Sequence, residues 1–523
     1  MKSVKMRILV IMLIAASDTF AQYMEWLSTG VNLQMEIDYA SMDQKQNLVV
    51  VGDFNSLNAD GSIVSFGPNL TDSGKNKKLL YTSMKRTMIS YTSEGAISWV
   101  FSFHEEYNHI RGITHDSKGQ LLVLIYVEGF YDAKDVQAIK SGRYEEDEYK
   151  EERKAEEEAM SEEDADTVKY YGILNDFSGK DDPDYFLSEG FHVFYLSAEG
   201  KFVKEIPHFA GEALEMDIEE FKITPTDGFF IYGTVSKDFV DPEDPTKTFK
   251  AGGDGVMVFQ KSGDLLWSDV ISCAGKAACS SYSNARSACM SQDGTLYLSG
   301  AFKDSVRLST GELLKVDLKK TDKTALLYES YLIAYSPQGK INWFKQSGTK
   351  VMIHQLAATN NQVFLSYALP ENKNQAFQFE TDTTQRKKVV IASFSNQGTN
   401  LWSVSEGSQR IQSMEIKDKK LYVYGSTNYS ISGAQIGTYS MKKRECSYLS
   451  TYDFQGKFQQ VKPLPFHHDR DETLSFLFLA GANDVYIVTQ ISYSGRVPLK
   501  VLDSLFGDLE SIGRIGVIGK LKY

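Results

Sequence analysis

The densest group of side chains that could do chemistry is the run His467-His468-Asp469-Arg470-Asp471-Glu472. Imidazole and carboxylate groups together can bind a metal ion or transfer protons. Adjacent residues rarely ligate one ion, and Arg470 would pair with the carboxylates, so an exposed loop is the alternative interpretation. Further candidates for the same site are His104, His109 and His354, which lie in or near connections between predicted strands.

Four cysteines are present: Cys273, Cys279, Cys289 and Cys446. They lack the Cys-x-x-Cys and Cys/His spacings of zinc sites. Cys273 and Cys279 bracket a short loop, so a disulfide between them is one interpretation and small buried thiols are the other. The sequence also lacks a nucleophile elbow, a phosphate-binding loop and a zinc-protease motif. We therefore expect no cofactor.

A strongly acidic segment lies within an insertion at about residues 130–188. Residues 144–166 carry 13 acidic and three basic side chains, a net charge of −10. A solvated projection is the simplest interpretation of such a charge run. The alternatives are an arm that contacts a basic partner and a loose collector of divalent cations, although the segment contains no ordered calcium-loop pattern.

A repeated hairpin positions these residues. Four tryptophans close a Gly-x-x-x-Trp step, and the fifth lies just after the start of the predicted mature chain; the five are Trp26, Trp99, Trp267, Trp343 and Trp402. We expect each to lie on an outermost strand and to pack on a neighbouring sheet or its own, because a large flat side chain suits that role.

Each repeat unit predicts four short strands, as residues 288–348 illustrate. Repetition of such a unit predicts an all-β protein, a seven-bladed β-propeller of four-stranded blades. The last predicted strand, near Ile515–Leu521, lacks a successor, and the strand around Trp26 lacks a predecessor. We therefore expect the N-terminal strand to pair with the C-terminal blade and close the ring.

The units resemble the SBBP-type beta-propeller repeat of secreted bacterial proteins. The similarity is greatest at Asp293-Gly-Thr-Leu-Tyr297-Leu-Ser-Gly300-Ala-Phe302, at Leu332-Ile-Ala334-Tyr335 and at Gly339-Lys-Ile-Asn-Trp343. This resemblance implies the fold and export, and it transfers no catalytic residue. The Gly-x-x-x-Trp step is also similar, more weakly, to the repeat of quinoprotein propellers, but the Asp and Thr that precede it there are missing here.

Residues 1–21 have the pattern of a signal peptide, with a basic start, an apolar run from Ile8 to Ala16 and small residues at Thr19 and Ala21. We expect residues 22–523 to form one propeller domain that is periplasmic, cell-surface or secreted. No later segment is apolar enough to span a membrane, and a net charge of −13 argues against general nucleic-acid binding. We expect a monomer.

Two functions fit this pattern. In a propeller, the connections from second to third strand and from fourth strand to the next blade share one face, and all the long insertions predicted here fall between second and third strands. The first hypothesis is a non-enzymatic, exported binding or scaffold protein that presents this loop-rich face to a protein or a cell-surface glycan. The alternative is a polysaccharide-acting lyase or hydrolase, with a site in the central mouth built from the histidines named above.

The cation hypothesis predicts a simple effect on stability. If residues 144–166 collect divalent cations in the folded protein, millimolar calcium raises the melting temperature, because a ligand that binds only the folded state stabilises it. The measurement is a thermal unfolding curve across a calcium titration. An unchanged midpoint contradicts the hypothesis.

Overall fold

The structure is a computed structural model. It describes residues 24–29, 33–56, 86–102, 108–127, 134, 137, 171–174, 185–206, 214, 216–240, 248–274, 287–316, 328–347, 351–368, 389–406, 410–426, 435–440, 447–464, 475–480, 484–492 and 514–522. The predicted signal peptide, most of the acidic insertion and Cys279 lie outside the described residues.

The described residues are dominated by short strands. In chain order these are β1 Met24–Thr29, β2 Leu33–Met42, β3 Leu48–Ser56, β4 Arg86–Tyr91, β5 Ile97–Ser102, β6 Asn108–His115, β7 Leu121–Val127, β8 Tyr171–Leu174, β9 Tyr185–Ser188, β10 Gly190–Leu196, β11 Phe202–Ile206, β12 Met216–Ile223, β13 Phe229–Val235, β14 Phe239–Val240, β15 Thr248–Phe249, β16 Asp254–Phe259, β17 Leu265–Cys273, β18 Ser287–Met290, β19 Leu296–Phe302, β20 Ser305–Arg307, β21 Leu313–Lys315, β22 Glu329–Tyr335, β23 Ile341–Gln346, β24 Met352–Ala358, β25 Gln362–Ala368, β26 Val389–Ser395, β27 Asn400–Glu406, β28 Arg410–Lys417, β29 Lys420–Ser426, β30 Gln435–Ile436, β31 Tyr439–Ser440, β32 Ser447–Asp453, β33 Phe458–Leu464, β34 Ser475–Ala480, β35 Asp484–Ser492 and β36 Arg514–Lys522.

These strands form a β-propeller, so the predicted all-β propeller architecture is confirmed. Six blades are antiparallel sheets of four strands, each taken from one contiguous stretch of chain. Blade I is β2-β3-β4-β5, blade II β6-β7-β10-β11, blade III β12-β13-β16-β17, blade IV β18-β19-β22-β23, blade V β24-β25-β26-β27 and blade VI β28-β29-β32-β33. Two strands from the blade IV insertion, β20 and β21, extend the outer edge of blade III.

The prediction of seven blades closed by pairing of the chain ends is wrong, because the propeller has six blades and no closed sheet. The remaining sheet, called here the terminal sheet, has the order β1-β36-β35-β34. β1 pairs with β36, but the two strands come from opposite ends of the chain and share no hairpin. In sequence this sheet resembles a seventh repeat unit, because its three C-terminal strands follow the same order as the start of a blade.

The first strands of successive sheets lie side by side at the centre of the propeller. β2 contacts β6, β6 contacts β12, and the series continues through β18, β24 and β28 to β34; β2 also contacts β35 and β36. Second and third strands are almost completely buried, since neighbouring blades cover both their faces. This explains why those strands are continuously apolar rather than alternating.

Four tryptophans each lie against the hairpin of the next blade. A Cβ built on Gly398 would come within 2.8 Å of the Trp343 ring, and the Trp343 Nε1–H donates to the Asn396 carbonyl at 2.8 Å. Trp99, Trp267 and Trp402 make the same pair of contacts, with the glycines at 200, 339 and 456 and the carbonyls at 198, 337 and 454. These hairpin glycines have φ near +80°, which favours glycine.

Blade II lacks a tryptophan at this position, and other residues take its place. Lys204 occupies the equivalent position, and its ammonium group donates to the Lys261 carbonyl at 3.3 Å. This carbonyl precedes Gly263 by two residues, as in the other hairpins. Ile206 packs on Gly263 where an indole packs elsewhere. The contact between blades II and III therefore keeps its geometry with different chemistry.

A second set of contacts joins the blades near their other end. Tyr448 and Tyr452, both in blade VI, donate hydrogen bonds to the buried carboxylate of Glu406 in blade V. Tyr331 of blade IV donates in the same way to the buried Asp254 of blade III. Both Tyr331 and Tyr448 pass over a glycine of the adjacent second strand, where a Cβ would clash with the phenol.

In the part of the chain that the structure describes, no helix has the length and hydrophobicity needed to cross a membrane.

Substitution of Gly398 by alanine tests the tryptophan contact. We expect the variant to lose about 3 kcal/mol of unfolding free energy, because it adds backbone strain at φ +78° and displaces the Trp343 indole. Gly311 is the matched control: its φ is +95° and nothing lies within 4 Å of the place where an alanine methyl group would sit, so Gly311→Ala should cost about 1 kcal/mol.

The measurement is equilibrium urea unfolding of both variants, repeated in a Trp343→Ala background. If the indole causes the excess cost at Gly398, that excess shrinks when the indole is absent. Equal costs for the two glycine substitutions would contradict the proposed role of the indole.

Candidate functional site

The two ends of the propeller differ. At one end, first and second strands are joined by tight turns such as Asp43–Asn47 and Ser291–Thr295, and third and fourth strands by the glycine hairpins. The other end carries the connections from second to third strands, for example between β7 and β10 or between β19 and β22. We call these the plain face and the loop face. A candidate binding site is expected where loops and the central channel meet.

Five of the central strands contain a β-bulge close to the loop face. Each register shift loops out one residue: Asp38 in β2, Arg111 in β6, Glu219 in β12, His354 in β24 and Gln412 in β28. We call these residues the bulge ring. All five are polar or charged. Bulges redirect side chains and occur often beside functional sites. Gln412 is buried and donates to the Ser426 hydroxyl, whereas the other four side chains are partly exposed. We call the end of the channel near these residues the mouth.

A second ring of residues lies deeper in the channel. Each member pairs with the structurally equivalent position of the second strand in its own sheet. Its members, the channel ring, are Ser41, Thr114, Lys222, Cys289, Ala357, Glu415 and Phe478. The equivalent hairpin positions of the blades hold glycine, whereas the seven equivalent positions of the channel ring hold seven different residue types. They lie on the strands that surround the axis. Lys222 is well exposed there, whereas Ala357, Cys289 and Phe478 pack on the cores between blades.

Lys222 is the cation of the channel ring. Its ammonium group lies 2.9 Å from the Glu220 carboxylate and donates to the Ala288 carbonyl of blade IV at 2.8 Å. Protein surrounds it, yet 45% of its side-chain surface is exposed, as expected for a residue that lines a channel. Burial opposes the charge on Lys222, but the carboxylates of Glu220 and Glu415 raise its pKa above the ordinary value, so it is protonated.

Two further groups of the channel ring have shifted acidities. Burial raises the pKa of the Glu415 carboxyl to about 7, although the charge of Lys222 acts in the opposite direction. Burial also raises the pKa of the Cys289 thiol to about 12. Cys289 is therefore a neutral thiol rather than an activated nucleophile. Glu415 can both donate and accept hydrogen bonds near neutral pH.

The sequence-predicted histidine site is described only in part. His104, His467, His468 and Asp469 lie outside the described residues. His109 lies at the start of β6 in blade II, and His354 lies in the bulge ring in blade V. Burial and the charge of Arg410 lower the pKa of His354 to about 4, so its ring is neutral. The convergence of these histidines on one point therefore stays a prediction.

The other predicted residues have structural surroundings. Cys273, at the end of β17, is disulfide-bonded, and its pairing with Cys279 stays a prediction because Cys279 lies outside the described residues. Cys289 is a free thiol. The structure describes the backbone of Trp26 but not its side chain, and this residue lies in β1 opposite Lys520. The other four tryptophans lie between blades, away from the central strands.

Sequence reasoning missed both rings, although one signal was present. Each residue of the bulge ring follows an isoleucine near the start of a first strand, at Ile37, Ile110, Ile218, Ile353 and Ile411. An isoleucine followed by a polar residue at this fixed place in the repeat marks the bulge. The channel ring has no such local signal, because its members come from different blades and differ in residue type.

Comparisons with known proteins add little to this geometry. No family model matches the sequence, and no curated protein matches it significantly. One similar solved structure is a protein of unknown function from Dyadobacter fermentans, with a TM-score of 0.37, 9% identity, and coverage of 95% of this chain and 97% of that one. Another, from Bacteroides caccae and also of unknown function, has a TM-score of 0.31, 8% identity, and coverage of 73% and 91%.

The shifted acidity of Glu415 predicts a pH dependence of stability. Its carboxyl binds a proton more tightly in the folded than in the unfolded chain, so the folded state is favoured below about pH 4.5 and loses that advantage as the pH rises through about 7. Glu415→Gln should therefore lose less stability than the parent protein between pH 5 and pH 8.

The measurement is thermal unfolding of the two proteins across that range. Glu312→Gln is the control, because the Glu312 carboxyl is exposed and hydrogen bonds from Thr310 lower its pKa, so this variant should follow the parent. A parental pH profile in Glu415→Gln would show that Glu415 does not titrate in this range.

Proposed function

We propose that this protein is an exported, non-enzymatic binding propeller that presents its loop face and channel mouth to a protein or a cell-surface glycan. The observation that supports this most strongly is the bulge ring. Five blades loop out a polar residue at the end of the channel that also carries the long connections. Bulges recur at sheet edges and beside functional sites, and these five each present a different polar residue.

The composition of the mouth favours binding over catalysis. The Arg111 guanidinium lies 3.8 Å from the Asp217 carboxylate of the next blade, and both side chains are well exposed, so this ion pair contributes little to stability. Exposed, loosely paired charges of both signs suit contacts with a polar ligand surface. Within the described part of the chain, burial keeps the His354 ring and the Cys289 thiol uncharged by shifting their pKa values, so these two groups are not an activated nucleophile and base pair.

Export and repeat type are part of the proposal. The pattern of residues 1–21 supports cleavage before Gln22 and a place in the periplasm, at the cell surface or outside the cell. The repeat residues from Asp293 to Trp343 support membership of the SBBP-type group of secreted propellers. The acidic segment at residues 144–166 falls in the connection between β7 and β10, which leaves from the loop face.

The proposed function is tested by affinity capture from a cell-envelope extract, followed by titration of each purified captured molecule. Four baits are compared: the parent protein, a form lacking residues 144–166, a mouth variant with Asp38→Ala and Glu219→Ala, and a plain-face variant with Gln338→Ser and Lys340→Ser. We expect the parent and the plain-face variant to bind a molecule that the mouth variant or the shortened form binds about tenfold more weakly.

Two results would contradict this proposal. One is the absence of any molecule that binds the parent in direct titration. The other is equal loss of binding in the plain-face and mouth variants, which would place the interaction away from the loop face. Cleavage of a captured polysaccharide by the parent would favour the lyase or hydrolase alternative.

A further inference from the structure

The contacts between successive blades are not all alike. From blade I to blade VI, the fourth strand of each blade reaches the glycine hairpin of the next. A tryptophan makes this contact in four cases, and Lys204 makes it between blades II and III. The neighbour that follows blade VI is the terminal sheet. We call the boundary between blade VI and the terminal sheet the seam.

Blade VI carries a glutamine at the tryptophan position. In blade IV, Trp343 pairs with Ala334 next to the bulge that precedes the hairpin, and in blade VI Gln460 pairs with Thr451 at the same place. The Gln460 side chain is exposed, whereas the Trp343 indole is partly buried against the next blade. Gln460 therefore does not do at the seam what an indole does at the other boundaries.

The terminal sheet also has no hairpin to receive such a contact. Trp26 pairs with Lys520 and Met24 with Leu521, which repeats the bulge found between third and fourth strands in the blades. β36 and β1 are thus placed like a third and a fourth strand, but no turn joins them, because β1 precedes β2 in the chain. Among the described strands, the seam lacks both the indole and the hairpin that holds it elsewhere.

On its other side the terminal sheet is attached closely to blade I. Tyr486 and Val488 are buried in one core with residues of blade I, among them Ile37 and Leu48. The Tyr486 phenol donates a hydrogen bond to the Gln46 side chain at 3.1 Å. The first strand of blade I, β2, contacts both β35 and β36. The terminal sheet and blade I therefore form one packed unit.

We propose that the propeller opens at the seam, and that the terminal sheet then moves with blade I away from blade VI. Local opening follows the boundary whose contacts cost the least free energy to separate, and the seam is the boundary without the indole contact. β28 of blade VI and β34 of the terminal sheet lie side by side at the centre of the propeller. Opening at the seam therefore changes the width of the central channel on this side. This motion is independent of the proposed binding function.

Two buried residues at equivalent positions can report the motion. Ala334 in blade IV packs on the core between blades IV and V, and it is 0% exposed. Thr451 is the equivalent residue of blade VI, because it pairs with Gln460 as Ala334 pairs with Trp343, and it is also 0% exposed. Thr451 therefore faces the terminal sheet across the seam, and a thiol there becomes accessible when the seam opens.

The test measures how fast a soluble maleimide labels Thr451→Cys and Ala334→Cys in the full-length protein, with the labelling of the parent cysteines subtracted. We expect Thr451→Cys to react about a hundredfold faster, because opening at the seam does not require an indole and its hydrogen bond to separate from a hairpin. Leu449→Cys and Leu332→Cys are a second pair at equivalent buried positions, in case one substitution disturbs folding.

Two further variants connect the difference to the tryptophan position. Trp343→Gln gives blade IV the residue that blade VI has, so Leu332→Cys in this background should label about as fast as Leu449→Cys. Gln460→Ala should leave the labelling of Leu449→Cys unchanged, because the glutamine side chain is exposed. The global unfolding rate of each variant is measured in urea and extrapolated to water.

Three results would overturn the inference. The first is equal labelling within both pairs of cysteine variants. The second is labelling of Thr451→Cys and Leu449→Cys no faster than global unfolding, which would show that the seam does not open by itself. The third is an unchanged rate for Leu332→Cys when Trp343 is replaced, which would show that the indole does not keep a boundary closed.

Discussion

The contact between an indole and the next blade's hairpin glycine holds this propeller together. The indole covers a glycine whose missing Cβ provides the space, and its N–H satisfies a carbonyl of the same turn. Burial of the indole and the hydrogen bond together contribute about 3 kcal/mol at each contact. Because the contact runs between blades, it fixes the position of one sheet relative to the next rather than the fold within a sheet.

A second contact near the opposite end of the blades limits their tilt. The Glu406 carboxylate accepts hydrogen bonds from two tyrosines and from Ser450 at 3.0 Å, yet burial still raises its pKa. A buried acid in blade V, satisfied by the third strand of blade VI, therefore complements the tryptophan contact between the same two blades. Asp254 and Tyr331 repeat this arrangement between blades III and IV. With both ends fixed, the first strands of neighbouring blades are held side by side around the axis.

The repeat, its four-stranded hairpins and the propeller architecture could be predicted from local residue patterns, because each depends on residues close in sequence. The blade number could not. The three strands at the C-terminus follow the order of a blade, but the strand that completes their sheet comes from the other end of the chain and has no hairpin glycine. Lys204 shows a related limit: it stands where four other blades have a tryptophan, and its ammonium group donates to the hairpin carbonyl that an indole uses in those blades.

The candidate site was harder to predict because its geometry depends on bulges and on distant strands. The alternation of apolar and polar residues in a strand does not reveal which residue is looped out. The type of the looped-out residue also differs among the five blades that have a bulge, for example Asp38 in one and Gln412 in another. That difference is itself informative. Positions that serve packing take similar residues across the blades, as the isoleucines before the bulges and the hairpin glycines do. The channel ring instead holds serine, threonine, lysine, cysteine, alanine, glutamate and phenylalanine at one structural level. Packing between like blades would favour like residues there, so the variety at the axis shows that the repeat does not constrain these positions as it constrains the hairpin glycines.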